Sequence, residues 1–326
     1  MKGLKVSRAC LGLVLLAGLP ALAGPAYTVF SDPTGGTGSY LVYGMNDAGY
    51  YVGGAESFGT YFGFVHDSTG FSQVGASSTM LTRATDINNS NDIVGYYQTS
   101  GVGGSTYQGY LVKSGSATAI NVPGARSTFV YGANDSDEVV GYYQDPGGAM
   151  HGFTEIGGTY TAINVPGATS TYVMGVNNSG ELVGTYTTSD GETHAFLWDG
   201  ATFKTIDFPG APATVAGSIN DAGDIVGWYS TCTNCNQIGI GFILDSSGVY
   251  TSVDLQPGSG TYLTGINDNN QIIGSLVGGS TDLGVLLNWG GPTPPTPQPI
   301  PEPGTQALMA AGGVVLLALG RLRQRA

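Results

Sequence analysis

Between residues 27 and 290 the apolar positions come in short bursts, each bounded by Gly, Asn, Asp, Ser or Pro, the pattern of strands joined by tight turns. In the best-defined stretch the bursts predict four strands, over 171–176, 182–187, 192–198 and 203–208. The pattern repeats. A segment like 218–227, with Asn220 third in it and Gly227 at its end, recurs around Asn46, Asn88, Asn134, Asn177, Asn220 and Asn267, at spacings of 42, 46, 43, 43 and 47 residues. Self-similarity at that period marks an array or a propeller.

Three residues after each Asn stands Gly49, Asn91, Asp137, Gly180, Gly223 or Asn270, the residue types that tolerate positive φ most cheaply. Each copy therefore reads as strand, turn, strand, with the Asx side chain capping the turn. Four strands per unit of about 43 residues is the signature of a propeller blade. The expected fold is all-β, a six-bladed β-propeller of four-stranded blades over 24–290. A fourth-strand element recurs as Ile120-Asn121-Val122-Pro123-Gly124, Ile163-Asn164-Val165-Pro166-Gly167 and Ile206-Asp207-Phe208-Pro209-Gly210. It is missing after the sixth unit and stands at the front instead, as Tyr27-Thr28-Val29-Phe30. The N-terminal strand should complete the last blade and remove the open edges.

The two ends differ in composition. Lys2, Lys5 and Arg8, an apolar run from Leu11 and the small residues Ala21-Leu22-Ala23 have the layout of a secretory signal, assigning 1–23 to a signal peptide. Residues 291–300 form a proline-rich linker, an extended spacer. Residues 301–326 run from Pro301-Glu302-Pro303 through a short apolar stretch to Arg321, Arg323 and Arg325, a transient membrane anchor stopped by cytoplasmic positive charge.

Charge narrows the partners. The formal net charge is −13, and six of the ten Lys and Arg lie in the two terminal segments. The remaining Arg83, Lys113, Arg126 and Lys204 face 22 of the 23 acids, the wrong sign for a nucleic acid or an anionic membrane surface.

Candidate chemistry is sparse. Aromatic residues follow the second-strand Gly, and Tyr97, Tyr143, Tyr186, Trp228 and Tyr229 are candidates for stacking on sugar rings, with inter-blade packing as the structural alternative. Asp92, Glu138, Glu181 and Asp224 open the second strand in four consecutive units and offer oxygen ligands to a cation such as calcium, although no unit has a complete calcium-loop spacing. No other cofactor is expected. Cys232 and Cys235 are expected to pair as a disulfide in an exported compartment, there being no second CxxC or nearby His to complete a zinc site. His151 and His194 occupy a third-strand slot that other units fill with Phe, Gln, Ile or Leu, so the architecture does not require His there. No GxSxG, HExxH or phosphate-cradling loop occurs.

Two resemblances add to this. The tripeptide His194-Ala195-Phe196, followed by Leu197-Trp198, resembles the HAF family of probable extracellular repeats, which implies an exported repeat domain and no established reaction. The three-part C-terminus resembles the PEP-CTERM sorting signal of Gram-negative bacteria. That resemblance implies recognition of Pro301, Glu302 and Pro303 by an exosortase-type membrane protease and delivery to the cell surface or an exopolysaccharide matrix, as in biofilm. The expected function is a non-catalytic binding or structural propeller associated with extracellular polysaccharide; the alternative is a carbohydrate-active hydrolase or lyase on the same scaffold.

Overall fold

The computed structural model describes residues 27–30, 40–57, 60–75, 81–101, 104–231, 238–278 and 282–290. The signal-like segment 1–23, the pair Cys232 and Cys235, the linker 291–300 and the sorting segment 301–326 lie outside the described residues. The described residues form one compact unit. The fold is an all-β propeller, and no helix among the described residues is long and apolar enough to cross a membrane.

Each repeat unit opens on an inner strand: Tyr40–Met45, Thr82–Ile87, Ser127–Ala133, Ser170–Val176, Ala213–Ile219 and Gly260–Ile266. Antiparallel partners then step outward, giving four four-stranded sheets and one eight-stranded sheet. The eight-stranded sheet is two successive units joined by a single parallel pair, Thr193 with Ala213. The N-terminal strand Tyr27–Phe30 pairs antiparallel with Leu283–Asn288, from Tyr27 opposite Leu287 to Phe30 opposite Gly284. It supplies the outer strand that the last unit lacks, as the displaced fourth-strand element implied.

The strand expectations for 171–208 hold at every element: Ser170–Val176, Leu182–Thr187, Thr193–Trp198 and Phe203–Thr205. The last is shorter than expected, ending at Thr205 with 206–208 irregular before the turn at 209–210, although the Ile206 backbone N–H still bonds the Ala195 carbonyl.

Packing repeats with the sequence. The third strand buries Phe64, Tyr110, Phe153, Phe196, Phe242 and Val285 completely. In the first five units the small residue before this position leaves room for the next inner strand: a Cβ on Gly152 would lie 2.7 Å from Val173 Cγ2, and one on Gly109 would lie 2.5 Å from Val130 Cγ2. Ala195 is tolerated in the same slot where the facing inner strand carries the smaller Ala216, and both sit in one buried cluster. The second-strand Gly is required by close approach: a Cβ at Gly95, Gly141, Gly184 or Gly227 would stand 2.0 Å from an inner-strand carbonyl oxygen.

Candidate ligand site in the central channel

The recurring Asn does more than cap its own turn. Its Oδ1 accepts the backbone N–H four residues on, at 2.8–3.0 Å in all six units, which fixes a hairpin whose left-handed residues are Gly49, Asn91, Asp137, Gly180, Gly223 and Asn270. Its Nδ2 donates to the carbonyl of the next unit's Asn, from Asn46 to Asn88, Asn134, Asn177, Asn220 and Asn267, and from Asn267 back to Asn46, at 3.0–3.3 Å. The hydrogen bonds close a ring, with every Asn in it buried. A second ring lies beside it, in which Asp47, Asn89, Asp135, Asn178, Asp221 and Asp268 each accept, on Oδ1, the backbone N–H of the equivalent residue one unit earlier, at 2.7–2.9 Å. Asn89 and Asn178 also donate their amides to the carboxylates on either side. Between Asp221, Asp268 and Asp47 no amide intervenes, and burial together with those two neighbouring carboxylates raises Asp268 above the usual carboxylate range.

These rings frame one mouth of a cavity of about 230 Å³ lined by all six inner strands. Every inner strand carries a bulge, at Tyr43, Thr85, Tyr131, Met174, Gly217 or Thr264, as the register shift in each pairing records. A bulge re-aims a side chain, and here the bulged residues line the cavity. In the next position four units have Gly, because adjacent inner strands touch there: a Cβ on Gly175 would lie 3.1 Å from the Ser218 Cα. The second unit places Asp86 in that slot. Its carboxylate accepts the Ala133 N–H at 3.2 Å, and enclosure by the surrounding protein pushes its pKa up to about 6.

Tyr131 of the cavity lining belongs to a larger aromatic cluster. Arg83 and Tyr96 are cross-strand partners, as are Phe129 and Tyr142 in the next unit. Tyr96 stacks on Tyr131 at 5.8 Å and meets Phe129 edge-on at 5.2 Å; Tyr142 stacks on Phe129 at 4.8 Å and on Tyr131 at 5.4 Å, and meets Tyr172 edge-on at 4.9 Å. The Arg83 guanidinium lies 5.6 Å from the centroid of the Tyr43 ring and donates to a Tyr43 hydroxyl. Burial raises the Tyr43, Tyr131 and Tyr142 hydroxyls well above the ordinary phenol range, so all three remain neutral donors. Trp228 also lines the cavity and meets Tyr262 edge-on at 5.2 Å.

The residues singled out in the sequence fall into separate groups. Trp228 reaches the channel. Tyr143 and Tyr186 stack on His151 and His194, each at 5.2 Å, within their own units. Tyr229 is 8 % exposed, stacks on Phe208 at 3.8 Å and bonds Ser252, while Tyr97 donates to Gln108. The two histidines are tied down by side chains of their own units, His151 by Asn164 and Asp145, His194 by Asp207. Of the four acids, Asp92 is buried and faces Lys113 at 3.3 Å; Glu138 and Glu181 accept from Asn134 and Asn177; Asp224 accepts the Ser246 N–H. Each is held by its own unit, and among the described residues no three His, Cys, Asp or Glu side chains gather as a metal-ligand group. Sequence reasoning did not pick out Tyr43, Arg83, Asp86, Tyr131 or Tyr172. Asp86 was the most accessible of them, since it is the one acid in a slot otherwise filled by Gly or Ser.

No protein-family model and no curated protein matches the chain. Among solved structures it is similar to the six-bladed β-propeller lectin of Aleuria aurantia, described with a novel fucose recognition mode, at 15% identity over 66% of this chain and 78% of that one, with a TM-score of 0.43. It is similar to TolB of Acinetobacter baumannii at 14% identity over 71% and 60% of the two chains, TM-score 0.46. To the Trypanosoma rangeli sialidase in complex with sialic acid it is similar at 10% identity over 82% and 59%, TM-score 0.47. At these identities and scores the likenesses assign this chain no function.

Proposed function

We propose that this chain is an exported six-bladed propeller that binds extracellular carbohydrate, without catalysis, at the aromatic end of its channel. The eight-stranded sheet counts as two blades because one parallel pair is all that joins its halves, and the Asn ring passes once through each of six units. The observation that carries the binding reading is a cavity lined by Tyr43, Tyr131 and Trp228, with Tyr131 continuing into a packed cluster of Tyr96, Tyr142, Phe129 and Tyr172. Sugar rings have apolar C–H faces that stack on such side chains and hydroxyl edges that hydrogen-bond to neutral phenols. A glycosidase needs two carboxyl groups in contrasting environments, whereas Asp86 stands alone at the waist and the remaining channel acids belong to the repeated Asx turns.

The resemblance of 1–23 to a secretory signal and of 301–326 to a PEP-CTERM segment supports export and processing by an exosortase-type protease, with transient inner-membrane anchoring and release to the cell surface or matrix. The test is titration of the purified protein with its producer's exopolysaccharide, with calcium or with chelator, followed by tryptophan fluorescence and co-sedimentation. Saturable binding whose fluorescence change is lost in Trp228→Phe is expected; absence of binding in both conditions sinks the reading.

A further inference from the structure

We infer that the aromatic end of the channel takes an acidic sugar, its carboxylate paired with Arg83; this rests on the carbohydrate-binding reading above. Arg83 is one of four Lys and Arg between the terminal segments of an acidic chain, and its location is unusual. It stands on the inner strand Thr82–Ile87, packed among Tyr43, Tyr96, Tyr107 and Tyr131, which act on it electrostatically, and no described carboxylate lies within ion-pairing distance of it. Glu56 accepts from the Tyr61 hydroxyl, and Asp282 acts electrostatically on Tyr43.

A guanidinium has five N–H donors in a planar fork. The side-chain acceptor found for it here is one phenol, Tyr43. Removing a cation partly from water without a counter-charge is unfavourable unless a ligand supplies one, and a carboxylate matches the fork in two parallel bonds. Gly54, the cross-strand position equivalent to Tyr96 in the neighbouring unit, packs on the stem of Arg83: a Cβ there would stand 3.5 Å from Arg83 Cγ and 3.6 Å from Tyr43 Cε2.

A uronic acid residue brings a ring carboxylate for Arg83 and hydroxyls for the phenols, on a body with an apolar face for the tyrosines.

The experiment compares the full chain's affinity for oligogalacturonate with its affinity for the same oligomer after carboxyl reduction, which is neutral and otherwise of like shape. Charge-assisted pairing predicts roughly a tenfold or greater preference for the acid. In Arg83→Met the ratio of acid to neutral affinity should fall to about one, and Arg83→Lys, which keeps the charge without the fork, should retain only part of the preference. Equal affinity of the wild type for the two oligomers overturns the inference and leaves carbohydrate binding standing. Absence of binding to either overturns both. The wild-type comparison does not depend on any variant folding, and a preference that persists in folded Arg83→Met also sinks the assignment.

Discussion

Asn267 donates its side-chain amide to the carbonyl of Asn46 at 3.0 Å, across 221 residues of chain. This bond joins the last unit to the first, and it has the same form as the five bonds between sequential units. Closure is therefore written into each turn, while Tyr27–Phe30 seals the outer edge of the same last unit.

Asn267→Ala should be strongly destabilising. The residue is 4 % exposed; its Oδ1 accepts from Asn269 and Gln271, and its Nδ2 donates to Asn46 and Gln271. Leaving buried partners unsatisfied costs about 1–3 kcal/mol each, so a loss of roughly 2–4 kcal/mol is expected in urea denaturation. A change below about 0.5 kcal/mol would show the ring to be incidental to stability.

Deleting residues 24–33 should expose Leu283–Asn288 as an open edge and leave Phe30's contacts with Tyr40 and Tyr51 unmade. Aggregation in light scattering and a lowered melting temperature are expected. Phe30→Ala should show the smaller loss of stability of the two, since it keeps the backbone pairing.

Gly141→Ala places a methyl group 2.0 Å from the Phe129 carbonyl oxygen and 3.0 Å from the Val130 Cα. Neither contact is with a flexible side chain, so the strand must move and weaken its ladder to the inner strand. Destabilisation of about 1–3 kcal/mol or more is expected from such overpacking. Unchanged stability in Gly141→Ala would mean that the inner ladder can shift freely.

Asp86 should impose a pH dependence of a definite sign. Its folded-state pKa is raised to about 6 from 3.8, so between about pH 4 and 6 the folded state holds a proton that the unfolded chain has lost. Stability then falls as pH rises through that window and levels off above it. Asp86→Asn keeps an oxygen for the Ala133 N–H and removes the titration, so the variant should gain stability relative to wild type above pH 6 and gain none below pH 4. A difference between the two proteins that does not vary with pH would refute this.

The sequence determined the repeat, the turns and the displaced strand, because each depends on short-range chemistry that recurs. Positive φ at Gly49, Asn91 and their equivalents follows from residue type, and the burial of Phe153 and Phe196 follows from their place beside a small residue. It also exposed the missing fourth strand, because the element Tyr27–Phe30 stands out of its usual order. What only the tertiary structure decided was which residues meet across units. The recurring Asn can be read as a turn cap from one unit alone, but its amide reaches the next unit's carbonyl only when the strands stand side by side around a ring. The Tyr142 and Tyr143 pair shows why the channel wall was hidden. Both are aromatic and adjacent, alternation places them on opposite faces, and nothing local says which face belongs to the channel. The inner-strand bulges place Tyr131 in the channel, where it stacks on Tyr142, while Tyr143 turns to stack on His151. Arg83 is an ordinary strand residue by sequence, and its partners come from three different units, so its setting among tyrosines exists only once the ring is closed.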